Sequence, residues 1–146
     1  MRIRIVGSEL PGRDCPPGHN FPGYTNVHVG MQTKKRPPEL LNLTPADAAE
    51  VVWTIDCEVN GSDIRGPYIQ GRPGERFIYL NWGSVDGGGE MEMFRRAKLM
   101  LDGVPAAVLA KATKAGTLVG KLGLTDAKGE PLCASVRPPA IEWSVG

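Results

Sequence analysis

Apolar and polar residues alternate along several short segments of the chain, the pattern of strands with one buried face. In residues 2–5 two arginines alternate with two isoleucines, and in residues 27–31 the odd positions are apolar. The clearest alternation covers residues 51–59. Its apolar face consists of Val51, Trp53, Ile55, Cys57 and Val59. These segments predict strands that cover a core.

Turn signals and side-chain type predict the remaining strands. Asn60-Gly61 is typical of a tight hairpin turn, and residues 126–129 predict a second hairpin closed by a glycine bulge. Residues 11–24 are rich in proline and glycine and predict a loop, while residues 33–42 predict a connection. The strands expected in addition cover residues 66–70, 76–82, 94–101, 117–124 and 130–136.

One helix is predicted at residues 105–112. Pro105 suits its first turn, and Gly116 lies just beyond its last turn. Residues 93–101 fit a helical stripe as well as a strand alternation, so periodicity alone leaves both open.

Two longer strings point to a known family. These are Gly-Pro-Tyr-Ile-Gln-Gly at residues 66–71 and Gly-Glu-Pro-Leu-Cys-Ala-Ser-Val-Arg-Pro at residues 129–138. With Asn-Val-His-Val-Gly-Met-Gln at residues 26–32, the chain resembles, over nearly its whole length, a bacterial family known only as a domain of unknown function. The resemblance implies a stand-alone bacterial domain and carries no activity. It also implies a proline in relatives at the position of Met100, which favours a strand over residues 94–101 because proline breaks helix interiors.

The predicted fold is therefore mainly β with one helix (α+β), in one domain over residues 1–146. Successive hairpins predict an antiparallel barrel or a two-layer sandwich of about eight strands.

The composition limits which classes of partner are expected. The chain has 146 residues, a formal net charge of +1 and three cysteines far apart. This charge gives no reason to expect nucleic acid or a membrane surface as a partner, and no apolar run approaches the roughly 20 residues of a membrane span. An odd number of scattered cysteines predicts free thiols in the cytoplasm.

Asp56, Glu58 and Tyr79 are the candidate catalytic residues. The two carboxylates lie two positions apart on one strand and therefore point the same way. In a cavity, repulsion and desolvation could keep one of them protonated as a general acid beside a base, with Tyr79 stabilising developing negative charge. On a solvated face, they are only the polar half of an amphipathic strand.

The candidate ligand-binding residues are His28, Arg65, Tyr68, Trp82 and Arg96. Aromatic rings offer apolar faces with a polar tip, and arginine binds carboxylates with two hydrogen bonds. No metal site and no cofactor are expected. Cys15 and His19 lack two further zinc ligands nearby, and the glycine loop at residues 83–89 lacks the lysine of a phosphate-binding loop.

Three functions remain open. The first is a small-molecule-binding β-domain, and the second is a cofactor-free enzyme (isomerase, cyclase or hydrolase) that uses Asp56 or Glu58 as acid and base. The third is a protein-interaction module that uses a sheet edge, and homo-oligomerisation is open as well.

Overall fold

The computed structural model describes residues 1–7, 27–35, 40–45, 50–85, 91–126, 128–129 and 139–146. These parts form ten strands and one helix. The elements are β1 (Arg2–Gly7), β2 (Val27–Gln32), β3 (Leu40–Pro45), β4 (Val51–Asp56), β5 (Glu58–Asn60), β6 (Asp63–Arg65), β7 (Phe77–Val85), β8 (Met91–Met100), α1 (Ala106–Ala115), β9 (Thr117–Asp126) and β10 (Pro139–Val145).

The strands form two four-stranded sheets and one small hairpin. The first sheet has the order β10-β9-β1-β4, the second sheet has the order β3-β2-β7-β8, and β5 pairs with β6. Neighbours in the described sheets are antiparallel, except that β1 and β9 run parallel. The described strands do not close into a barrel. The predicted β-rich fold with one helix is confirmed, in its sandwich-like form.

One apolar core joins the inner faces of the two sheets. Ile3 and Ile5 enter it from the first sheet, and Val29 and Leu80 enter it from the second. All four are fully buried. Burying one such side chain is worth about 1.5–3 kcal/mol, so the alternation read from the sequence is also the main source of stability.

The segment from residue 51 to residue 59 alternates as predicted, but it forms two strands rather than one, since β4 ends at Asp56 and β5 begins at Glu58 in a different sheet. Trp53 and Ile55 are 3% exposed, whereas the alternate residues Thr54 and Asp56 are exposed to solvent. The indole Nε1 of Trp53 donates a hydrogen bond to Thr44 Oγ1 on β3 at 3.1 Å. The polar end of this large core residue is thereby satisfied, and the contact connects the two sheets.

The ambiguous segment is a strand. Ala97 and Leu99 on β8 are buried, while Arg96 and Lys98 are exposed. The predicted helix is confirmed as α1, which ends at Gly116 with a left-handed φ of 93° and a backbone hydrogen bond to Ala112 at 2.7 Å. Glycine adopts this conformation without steric cost.

The returning strand after Asn60-Gly61 was placed wrongly. Asn60 pairs directly with Asp63, so the turn consists of Gly61 and Ser62, and the strand returns at once as β6. Residues 66–69 instead form a turn, and only Gln70 makes an isolated bridge, to Phe77.

Two strands were not predicted. β3 occupies part of the expected connection, and its Asn42 has a positive φ of 57° that interrupts the alternation. β10 pairs with β9 at the edge of the first sheet. The predicted strand at residues 130–136 and the predicted loop at residues 11–24 lie outside the described residues, as do Cys15, His19 and residues 86–89 of the glycine loop. No helix in the described part of the chain is long and apolar enough to span a bilayer.

Candidate ligand-binding site

Three of the predicted site residues share the face of the second sheet that points away from the core. We call this side of β2, β7 and β8 the outer face. Because side chains alternate, the buried positions Val29, Leu80 and Leu99 put their neighbours on the other side. The outer face thus carries His28 and Gly30 on β2, Tyr79 and Asn81 on β7, and Arg96 and Lys98 on β8.

Two rings and two cations pack together on the outer face. The guanidinium carbon of Arg96 lies 4.2 Å from the ring centre of Tyr79, and Lys98 Nζ lies 4.4 Å from the ring centre of Phe77. The two rings meet edge to face, with centres 4.7 Å apart. Such contacts hold the cations against the sheet. Neither cation has a carboxylate partner among the described residues.

Asn81 lies at the centre of one row of this face. Asn81 lies on the central strand β7, directly opposite Gly30 of β2 on one side and Arg96 of β8 on the other. Asn81 is 0% exposed, yet neither its Oδ1 nor its Nδ2 has a hydrogen-bond partner in the described part of the chain. Leaving a buried polar group unpaired costs about 1–3 kcal/mol, and most buried polar groups in proteins are paired.

Gly30 contributes to the same row. It lies inside β2 and is buried, although its position belongs to the outer face. Glycine within a strand often marks a bulge or the close approach of another group, and the register of β2 against β3 shifts at Gly30, between Val29 and Met31. The row therefore combines a position without a side chain and a carboxamide that offers one donor group and one acceptor.

The candidate catalytic carboxylates lie elsewhere, in an open cleft of about 520 Å³. Its lining is Lys34, Asp56, Cys57, Glu58, Arg65, Gly66 and Pro67. The structure thus brings Asp56, Glu58 and Arg65 together. The Asp56 side chain is 89% exposed and lies 3.5 Å from Arg2 Nε. Tyr79 belongs to the outer face of the second sheet and does not line this cleft.

Water reaches most of this cleft. Glu58 is exposed and stands opposite Arg65 on the β5–β6 hairpin, but Arg65 Nε donates to Asp63 Oδ2 at 2.7 Å instead. Neither carboxylate is therefore enclosed by the protein. This cleft can attract charged groups, but it provides no enclosed site for proton transfer.

Cys57 is a buried thiol in the wall of the cleft. Burial raises its pKa to about 11, against an attraction to the N-terminal ammonium group that lowers the pKa. Its Sγ donates to the backbone oxygen of Met1 at 3.3 Å. The thiolate is the nucleophilic form, so this cysteine is inert at neutral pH.

Asp63 and Arg76 form a charged pair that sequence reasoning missed. Arg76 donates from Nε to Oδ1 at 2.9 Å and from Nη2 to Oδ2 at 3.1 Å. These hydrogen bonds, with a third from Arg65, hold the pKa of Asp63 well below its usual range. The same pairing raises the pKa of Arg76. The pair anchors the β5–β6 hairpin to the start of β7.

Two predicted ligand residues have other surroundings. Tyr68 is half-buried in the turn after β6 and packs against the core. Trp82 belongs to β7, where its backbone pairs with Val29 and Arg95, but its side chain lies outside the described part. No group of three or more His, Cys, Asp or Glu residues within the described ranges could hold a metal ion.

A family model described as a family of unknown function, DUF5990, matches residues 1–146. The chain belongs to the DUF5990 family. The predicted resemblance to a family without an assigned function is thereby confirmed. Searches of curated proteins and of solved structures gave no significant match. Membership of DUF5990 brings no activity, so the functional argument depends on the geometry of this chain.

Proposed function

We propose that this DUF5990 domain binds a small polar molecule on the outer face of its second sheet, with Asn81 as the central contact. The observation that carries the proposal is the fully buried carboxamide without a partner among the described residues. Tyr79 and Arg96, both candidates from the sequence, lie next to it on the same face.

Asparagine at position 81 is an unfavourable residue for the free protein. An apolar side chain of similar size at position 81 would avoid the cost of two unpaired groups, about 1–3 kcal/mol each. A ligand that supplies one acceptor and one donor recovers that cost on binding; because Asn81 is 0% exposed, the groups that cover the carboxamide must move aside to admit it. A residue that lowers the stability of the free protein and pairs with a ligand is typical of a binding site.

The alternative enzyme function finds less support. It needs an enclosed acid and base, whereas Asp56 has an 89% exposed side chain and Glu58 is exposed. Tyr79 lies on a different surface from both carboxylates. The cofactor-free enzyme remains a second hypothesis, to be tested by replacing Asp56 and Glu58 with the amides once an activity is known.

The test of the binding function uses Asn81→Leu in two preparations, one purified natively and one unfolded, dialysed and refolded. We expect native mass spectrometry to detect a bound small molecule on the natively purified wild type only. The wild type should then melt higher before ligand removal than after it, and Asn81→Leu should show no such difference. After ligand removal, Asn81→Leu should melt above the wild type because it no longer buries an unpaired amide.

Gln70→Met is the matched control. The Nε2 of Gln70 is also buried without a partner in the described chain, and Gln70 pairs with Phe77 at the far end of β7. This variant should leave the ligand-dependent difference in melting temperature unchanged. The proposal is wrong if the wild type carries no ligand and melts identically in both preparations, or if refolded Asn81→Leu melts below refolded wild type.

An edge of the first sheet supports a further role in self-association. Val52 on β4 is 50% exposed, and Val145 on β10 is 39% exposed. These strands are the two edges of the described first sheet, and an edge strand offers unpaired backbone groups to a second copy. Sedimentation velocity should then show a dimer that Val52→Lys converts to a monomer, and a monomeric wild type would contradict this role.

We also propose that the protein acts in the bacterial cytoplasm. The scattered cysteines suit a reducing compartment, and Cys57 is a free, buried thiol.

A further inference from the structure

The second sheet has an open edge on the side of β8. This strand is the last in the order β3-β2-β7-β8, and it is ten residues long. No described strand pairs with its far side, although β10 of the first sheet lies close to it. We call the far side of residues 96–100 the β8 edge. An edge strand with unpaired backbone groups can pair with an additional strand.

The backbone hydrogen bonds at the end of β8 show which residues face the open side. Leu101 N–H donates to the backbone oxygen of Arg76 at 2.9 Å. Phe77 exchanges both of its backbone hydrogen bonds with Gln70, on the side of β7 away from β8. Phe77 and Met100, which stand opposite each other, are therefore a non-hydrogen-bonded pair of the antiparallel ladder.

The same orientation recurs at every second residue of the β8 edge. The pairing of β7 with β8 continues without a shift from Met100 back to Arg95, so Lys98 and Arg96 occupy equivalent positions. The N–H and C=O groups of Arg96, Lys98 and Met100 thus point away from β7, and they make no backbone hydrogen bond to another described residue. A strand added about 4.8 Å away would bond these residues.

The side chains of the β8 edge are cationic, and they lean away from it. Lysine on an edge strand often keeps other strands away. Here Lys98 Nζ lies over the Phe77 ring at 4.4 Å, and the Arg96 guanidinium lies over the Tyr79 ring at 4.2 Å. Both rings belong to β7, so the cations lie back over the sheet and leave the edge backbone uncovered. Both cations are exposed, and neither has a carboxylate partner among the described residues.

An open hollow of about 690 Å³ begins beside the same edge. Phe77 and Met100 contribute half-buried apolar surface to it. Its arginine, Arg72, is held by Glu75 at 2.8 Å, which leaves Lys98 as the cation of the hollow without a carboxylate partner in the described chain. A large apolar side chain opposite Met100 on an added strand would pack into this hollow. The full lining is Gly71, Arg72, Glu75, Phe77, Lys98 and Met100.

We infer that the β8 edge binds an extended acidic segment of a partner protein by strand addition. Carboxylates opposite Arg96 and Lys98, followed by an apolar residue opposite Met100, match the order of side chains along the edge. A second copy of this chain fits less well, because residues 96–100 paired antiparallel with themselves would place Lys98 against Lys98. This interaction goes beyond the proposed small-molecule function and does not depend on it.

The first test measures amide hydrogen exchange of the full chain by NMR, with and without synthetic peptides. Two short peptides are used, because an added strand can run parallel or antiparallel to β8. In one, valine alternates with glutamate, glutamate and leucine in that order, and the other has the reverse order. In the free protein the amides of Arg96, Lys98 and Met100 should exchange quickly, whereas those of Ala97 and Leu99, which face β7, should exchange slowly. The bound peptide should slow the first three.

The second test measures affinity by fluorescence anisotropy of the labelled peptides. Lys98→Glu should weaken binding of the acidic peptide by about tenfold, because like charges then stand opposite each other. Peptides with lysine in place of glutamate should bind the double variant Arg96→Glu, Lys98→Glu more tightly than they bind the wild type. Arg4→Glu changes an exposed arginine on β1 of the first sheet and is the matched control, which should bind the acidic peptide like the wild type.

Backbone recognition is tested separately from charge. A peptide that is N-methylated at the residues that donate to β8 keeps its charge but loses these hydrogen bonds. It should bind about tenfold or more weakly, a loss that electrostatic attraction alone would not produce.

Four results would overturn the inference. Slow exchange of Arg96, Lys98 and Met100 in the free protein would mean that the edge is already paired. Equal affinity for the N-methylated peptide would indicate charge attraction without strand addition. Binding of neither acidic peptide would exclude the acidic partner, and a dimer in sedimentation velocity that Lys98→Glu dissociates would identify a second copy as the occupant.

Discussion

Gly71 and Gly74 allow backbone strain to be separated from steric overlap within one turn. Both have a φ of +85°, and both lie between the bridge residue Gln70 and the start of β7. Their surroundings differ. A methyl group added at Gly71 would lie 2.4 Å from the Glu75 backbone oxygen and 3.1 Å from the Phe77 ring, whereas at Gly74 nothing lies within 4 Å.

These distances predict different losses of stability for two identical substitutions. An alanine in the left-handed region costs about 1–2 kcal/mol at either position. Overpacking adds about 1–3 kcal/mol at Gly71 only, because the Glu75 carbonyl belongs to the backbone of the same tight turn and cannot move away cheaply. Gly71→Ala should therefore lower the free energy of unfolding by about 2–5 kcal/mol, and Gly74→Ala by about 1–2 kcal/mol.

Urea unfolding followed by tryptophan fluorescence measures both values, provided that the slope with urea is the same for the two variants. Gly71→Ala also moves the carbonyl that accepts a hydrogen bond from Arg76, and it presses on the ring that carries Lys98. Equal losses of unfolding free energy for the two variants would refute this prediction, since the backbone strain common to both positions would then account for the whole loss.

Three other substitutions or conditions have defined outcomes. Burial raises the pKa of Cys57 to about 11, so iodoacetamide at pH 8 should label this cysteine only after unfolding; rapid labelling of the native protein, located by peptide mass spectrometry, would contradict this. The pKa of Asp63 is depressed by Arg76 and Arg65, so its stabilising effect is complete above the ordinary aspartate value of about 4 and is lost as the pH falls below it. Asp63→Asn should thus melt below the wild type at pH 7 and show a weaker loss of melting temperature between pH 4 and pH 2; parallel curves would show that the pair is not coupled to folding. Leu99 is fully buried, and Leu99→Ala should cost about 2–5 kcal/mol in urea unfolding, whereas Lys98→Ala on the exposed side of the same strand should cost far less.

The strands could be predicted wherever the alternation was uninterrupted. Ile3, Val29 and Ile55 are buried because every second side chain of a strand points to the same layer, and this relation is local. β3 could not be predicted in this way, because Asn42 has a positive φ and Pro45 closes the strand. The pairing of parallel β1 and β9 was equally inaccessible, since it joins residues that are more than a hundred positions apart.

The candidate site was predictable only in part. The sequence named Tyr79 and Arg96 as candidates for different roles, and they share one surface because β7 and β8 are neighbours. Nothing in the sequence singled out Asn81, because its complete burial depends on the tertiary structure. Likewise, no local pattern indicates that Arg76 bonds Asp63, a residue 13 positions away.

The strongest reason to place the site on the outer face is that two unfavourable choices meet in one row. Glycine inside a strand costs conformational entropy, and strands also disfavour asparagine. Gly30 and Asn81 are paired across β2 and β7, so the two costs fall on the same spot. The Asp56 cleft has no comparable feature, since the Asp56 side chain is 89% exposed and lies 3.5 Å from Arg2 Nε. The unpaired carboxamide of Asn81 is best explained by a partner that offsets its cost, and the melting temperature of refolded Asn81→Leu measures that cost directly.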